Sequence, residues 1–193
     1  NLIDGLRDEG FTPVTISERA GCDLRPLDVD RAEDRLTLAS YVWGDDLARF
    51  ERLRSAFVLA HRVPASMSAM SAGEYLTMLT HADPVPGNTL VIWHSATWFY
   101  LDRPARVEIR SAIRKLANRA TPSTPVVHVS WEWKRDSSDP AMPYALVGRS
   151  WPAGGAWAPW RPGTSVQLGT GSAHGMPMRW AEPKPLPSDP LEV

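Results

Sequence analysis

Apolar residues along this chain fall into two regimes that meet near Pro125. Before it, short apolar runs alternate with stretches of helical spacing. After it, strand-length runs follow one another with no helical stretch between them. A strand is expected from Val14 to about Arg19, running out near Asp23. Pro26 then breaks the backbone, and Asp28 to Asp30 offer helix caps. The spacing of Leu36, Ala39, Val42 and Trp43 predicts a helix over Arg31 to Trp43, ended by Gly44. A second helix over about 46–61 places Leu47, Phe50, Leu53, Phe57 and Ala60 on one face. Residues 63–71 are ambiguous, readable as a short strand interrupted by Pro64, and a short helix from Gly73 to His81 follows.

Residues 88–119 carry the clearest pattern. Thr89-Leu-Val-Ile-Trp93 is a continuous apolar run, as in a strand covered on both faces. A polar turn leads to a helix from Arg103 to Arg119, with Pro104 in its first turn, where a missing N–H costs nothing. Its apolar stripe is Ala105, Ile109, Ala112, Ile113 and Leu116. Beyond Pro125, strands are expected over 126–133, 144–151 and 164–168, with a short fourth from Met176 to Trp180. With no helix between them, they should pair antiparallel at one edge. The fold class expected is α/β: a partial doubly wound sheet of parallel strands closed by a C-terminal antiparallel hairpin. Residues 183–193 are proline-rich and polar and read as a disordered tail.

Composition narrows the class. The chain has 193 residues, 43% hydrophobic and 22% charged, enough for a core without metal or disulfide staples. A formal net charge of −1 gives no electrostatic footprint for nucleic acid or an anionic membrane. No run approaches the roughly 18 apolar residues of a membrane span. A single cysteine, Cys22, fits a reducing compartment, so a cytoplasmic protein is expected. The opening Asn1-Leu-Ile-Asp-Gly reads as the interior of a longer sequence. Nine tryptophans are many for this length, and six lie between Trp131 and Trp180. They read either as an aromatic binding platform or, more simply, as rings covering a sheet face and bracing a loop.

Several chemistries find no support. Gly169 to Gly175 has neither the dinucleotide nor the Walker spacing, and no helix follows it; a turn between edge strands accounts for it better. His61, His81, His94, His128 and His174 lack metal-ligand spacing, and no metal site is expected. No GxSxG elbow is present. What remains is His94, Tyr100 and Glu132. His94 ends the apolar strand and Glu132 lies near the end of the next, so parallel neighbours would bring both to one carboxyl edge, where ligands bind in open α/β sheets. A His and a Glu there suit general acid–base work; the plainer alternative has them bonding backbone and an arginine. Asp23, an acid at a strand end, could receive a ribose hydroxyl pair or simply form a turn with Pro26.

The stretches Arg19-Ala-Gly-Cys-Asp-Leu-Arg-Pro-Leu-Asp-Val29, Val42-Trp43 with Arg49 and Arg52, Thr89 to Ala96 with Tyr100-Leu101, and Ser130-Trp-Glu132 occur together and in order. In this the chain, from about residue 14 to 182, resembles the bacterial family known as domain of unknown function 2332. The resemblance implies the C-terminal part of a class I methyltransferase-like Rossmann domain over 1–182, with S-adenosylmethionine as cofactor and an unknown small molecule as substrate. On that reading Asp23 takes the ribose, Ser71 and Ala72 lie along the adenine, and His94 and Tyr100 line the pocket. Glu132 or His94 accepts a proton. Where the family has Gly-Asp-Ala, this chain reads Ser71-Ala72-Gly73, so the acid expected at the adenine is missing, with Glu74 one residue on. Two alternatives stay open: a non-catalytic binding module on a degenerate methyltransferase-like fold, and a cofactor-independent enzyme using the His94/Glu132 edge.

Overall fold

A computed structural model describes residues 14–134, 137, 139–154, 159–173 and 177–187. The chain divides between Ser71 and Ala72 into two units. In the first, β1 (Ala20–Asp23) pairs in parallel with β2 (Ser66–Ala69), with α1 (Ala32–Ser40) and α2 (Leu47–Arg62) between them in sequence. The expected strand over 14–19 is not formed; Val14 and Ile16 are exposed, and only the last four residues of that segment pair. A strand extends no further than its partner, and β2 begins two residues after Pro64, which cannot donate to a ladder. Asp46 caps α2 by accepting the Arg49 N–H at 2.9 Å. Along its expected apolar face Leu53, Phe57 and Ala60 are half-buried, while Leu47 is exposed.

The second unit holds α3 (Ala72–Leu79), β3 (Leu90–Ser95), a one-turn 3-10 helix (Trp98–Tyr100), α4 (Arg103–Asn118) and four further strands. These are β4 (Val126–Trp133), β5 (Tyr144–Trp151), β6 (Val166–Gly171) and β7 (Met178–Pro185), arranged in the order β3-β4-β5-β6-β7. Only β3 and β4 are parallel; β4 through β7 form an antiparallel meander. The α/β class holds, but the sheet is mixed, not mainly parallel, and its antiparallel part is a run of four strands where a closing hairpin was expected. The reason lies in the connections: among the described residues no helix follows β4, β5 or β6, and each strand pairs with the one before it in the antiparallel sense. The last strand also reaches Pro185, three residues into the segment read as tail; residues 188–193 lie outside those described.

Helix α4 forms as its pattern predicts. Asp102 caps it by accepting the Ala105 N–H at 2.9 Å, and Pro104 sits in its first turn. Ile109, Ala112, Ile113 and Leu116 are buried, with Ala105 half-buried. Together with Leu76 and Trp98 they form one core cluster, against which Leu90, Ile92 and Trp151 of the sheet pack. The other sheet face carries a smaller cluster of Trp131, Tyr144 and Leu146. On β3 that face is open: Val91 and Trp93 are each 57% exposed. Among the described residues no helix is long and apolar enough to cross a membrane.

Ile113→Ala deletes buried methyl groups at the centre of the larger cluster and should lower unfolding free energy by about 2–5 kcal/mol. Val91→Ala, on the open face of the same sheet, should change it by no more than about 0.5 kcal/mol. Denaturant titration followed by tryptophan fluorescence compares the two; equal losses would mean that α4 is not the main packing partner of the sheet.

Candidate functional site

Register builds the site. Side chains alternate across a strand, and β3 pairs Leu90 with Val126, Ile92 with His128 and His94 with Ser130. Leu90 and Ile92 face α4, so His94 does too, as do Val126, His128, Ser130 and Glu132. The residue directly opposite His94 is the small Ser130. The imidazole is therefore bracketed by the larger side chains two residues before and after it. Its Nδ1 lies 2.7 Å from Glu132 Oε1, and its Nε2 lies 3.0 Å from His128 Nε2. On the next strand His128 pairs with Arg149, whose guanidinium meets His128 Nδ1 at 2.7 Å. Arg149, His128, His94 and Glu132 thus form one unbroken line across β5, β4 and β3.

Glu132 closes the line against the chain that leaves β3. Its Oε1 accepts the backbone N–H groups of Thr97 at 3.0 Å and Trp98 at 3.2 Å as well as meeting His94. Ala96, at φ 50°, makes the turn that aims those two N–H groups inward. The other carboxylate oxygen, Oε2, is buried and has no hydrogen-bond partner among the described residues. Trp98 covers the imidazole, ring centroids 5.9 Å apart, and the guanidinium groups of Arg106 and Arg110 lie over the same indole.

His128 is 1% exposed. Burial first, then the charge of Arg149, then His94, hold its imidazole well below the ordinary value of 6.5, so it is neutral. Burial, Glu132 and Tyr100 together push the Tyr144 phenol up. Cys22 is no activated nucleophile: partial burial and Asp23 raise its thiol.

The structure brings together His94 and Glu132, as the sequence pattern anticipated. Tyr100 is 78% exposed, its ring against Phe99, close enough to Tyr144 to act on it electrostatically. Asp23 and Ser71 belong to the first unit. Asp23 is exposed at the end of β1, with one oxygen accepting the Arg25 N–H at 2.7 Å. Ala72 opens α3, where the next residue, Gly73, lies so close to Glu108 that a Cβ would overlap that side chain. Sequence reasoning missed His128 and Arg149. The signal for the first was available: His128 and Glu132 lie four apart on one strand, hence on one face. Arg149 needed the β4–β5 register. The glycine-rich segment proves to be strand at Gly169 to Gly171, and residues 174–176 lie outside those described. Of the six clustered tryptophans, Trp131 is buried in the smaller core, Trp151 packs on the larger, Trp160 is half-buried, and Trp133 and Trp180 are exposed. Trp157 lies outside the described residues. Among the described residues no group of three or more His, Cys, Asp or Glu side chains is placed to hold a metal ion.

Residues 3–180 match the family model described as an uncharacterized protein conserved in bacteria (DUF2332), and the chain belongs to that family. No curated protein and no solved structure matches it.

Neutral burial of His128 has a consequence for pH. The unfolded chain binds a proton at this imidazole below about 6.5 and the folded chain does not, so stability is full above that value. It should fall progressively as pH drops from there toward the depressed folded value. Urea midpoints measured from pH 8 to 5 (about neutral to mildly acid) should decline in the natural chain. The decline should be shallower in His128→Gln; an equal slope would assign it to other groups.

Proposed function

We propose that this member of the DUF2332 family is a bacterial cytoplasmic enzyme acting on a polar small molecule at the carboxyl ends of β3 and β4. We assign methyl transfer from S-adenosylmethionine as its reaction. One observation carries the reading of the site: the buried Glu132 carboxylate has one oxygen fixed by three donors and the other without a partner among the described residues. A buried carboxylate oxygen left unbonded is costly in a structural role. Offered to a substrate hydroxyl or amine, it accepts the proton that the nucleophile loses, while His94 holds its orientation.

The cofactor half rests on the family resemblance and on two features that agree with it. The pairs β1–β2 and β3–β4 are each parallel, as dinucleotide-type sheets require. Asp23 stands exposed at the carboxyl end of β1, with one oxygen tied to the turn, and its chemistry fits a ribose hydroxyl pair. Ser71 and Ala72 fit an adenine edge only through backbone and small side chains. His94 has both ring nitrogens committed within the protein. Bound S-adenosylmethionine would supply an electrophilic methyl group; the chain would position the acceptor, exclude water and take up the proton.

Calorimetric titration of S-adenosylhomocysteine into the full natural chain tests this. Binding in the micromolar range, on the order of −8 kcal/mol, is expected, weakened about tenfold by Asp23→Ala. Absence of binding would overturn methyl transfer and leave the cofactor-independent use of the His94/Glu132 edge in its place.

A further inference from the structure

The polar line that ends at Glu132 has a direction, and Arg149 sets it. A guanidinium can only donate, so at 2.7 Å His128 Nδ1 must accept. A neutral imidazole whose Nδ1 accepts carries its proton on Nε2. That proton points at His94 Nε2, 3.0 Å away, which must therefore accept in turn. His94 then carries its own proton on Nδ1 and donates it to Glu132 Oε1 at 2.7 Å. Each step forces the next, and no other placement of the two protons leaves every contact with one donor and one acceptor.

We infer that Arg149 and His128 are positioning residues that fix His94 as its Nδ1–H tautomer and so keep Glu132 Oε1 occupied, leaving Oε2 as the oxygen offered to substrate. Neither residue touches that oxygen. They act through His94, and they act only while His128 presents an N–H on one side and a lone pair on the other. Ser130, small and opposite His94, permits the arrangement: a larger side chain there would stand between the two imidazoles. The inference deepens the reading above and rests on it only for the role of Oε2. The proton positions can be measured whether or not S-adenosylhomocysteine binds.

Long-range nitrogen–proton correlation spectra of histidine-labelled protein near neutral pH report which ring nitrogen carries each proton. The natural chain should show His94 as the pure Nδ1–H form and His128 as the pure Nε2–H form, assigned through His94→Gln and His128→Gln. Arg149→Met should remove the pure pattern at both residues, and Arg149→Lys, which still donates, should restore it. A role limited to packing would leave the tautomers of Arg149→Met unchanged. Finding His94 protonated on Nε2 in the natural chain would overturn the inference outright, and that measurement needs no variant to fold.

Discussion

The Glu132 carboxylate joins two parts of the chain that are distant in sequence, its own strand β4 and the segment where β3 ends and turns toward α4. Its Oε1 receives the imidazole at the end of β3 and the two backbone N–H groups of the turn that leads to α4. Those N–H groups sit beyond the end of the ladder, where backbone donors buried without a partner would be costly. By satisfying them, Glu132 fixes how the chain leaves β3, and so where Trp98 and the start of α4 lie. Packing of α4 on the sheet follows from that exit, since Trp98 belongs to the same cluster as Ile109 and Ile113. A polar contact at one strand end thus sets the apolar layer beneath it.

The two faces of the sheet differ accordingly. The face toward α4 carries the apolar positions Leu90, Ile92 and Val126 at one end and the polar line His94, His128, Glu132 and Arg149 toward the other. Burying so polar a line is tolerable because donors and acceptors are matched along it from Arg149 as far as Glu132 Oε1, with Oε2 alone left unmatched among the described residues. The opposite face packs Trp131 on Tyr144, ring centroids 6.1 Å apart, and leaves Val91 and Trp93 exposed on the edge strand.

Much of this was legible from the residues. Helix α4 declared itself through its 3.6-residue stripe, an aspartate cap and a first-turn proline, all local features. His94 and Glu132 could be paired by eye because each ends a strand-like run and parallel neighbours end at the same edge. The strand over 14–19 misled for a physical reason: β-rich composition gives no ladder unless another segment supplies a partner of equal length. His128 was hidden because a histidine inside an apolar run looks the same whether it is a packed core residue or a link in a polar chain. Arg149 was hidden more deeply, since nothing in its neighbours along the sequence distinguishes it.

The sequence by itself determined the kinds of element, most of their limits and the end of the sheet at which the polar residues gather, because periodicity and capping act within a few residues. Tertiary structure alone decided which strands pair, that β4 to β7 run as a meander, and that β1 and β2 form a sheet of their own. It also decided the course of the polar line. That line depends on register between strands far apart in sequence, and a shift of one residue would turn His128 and Arg149 to the opposite face.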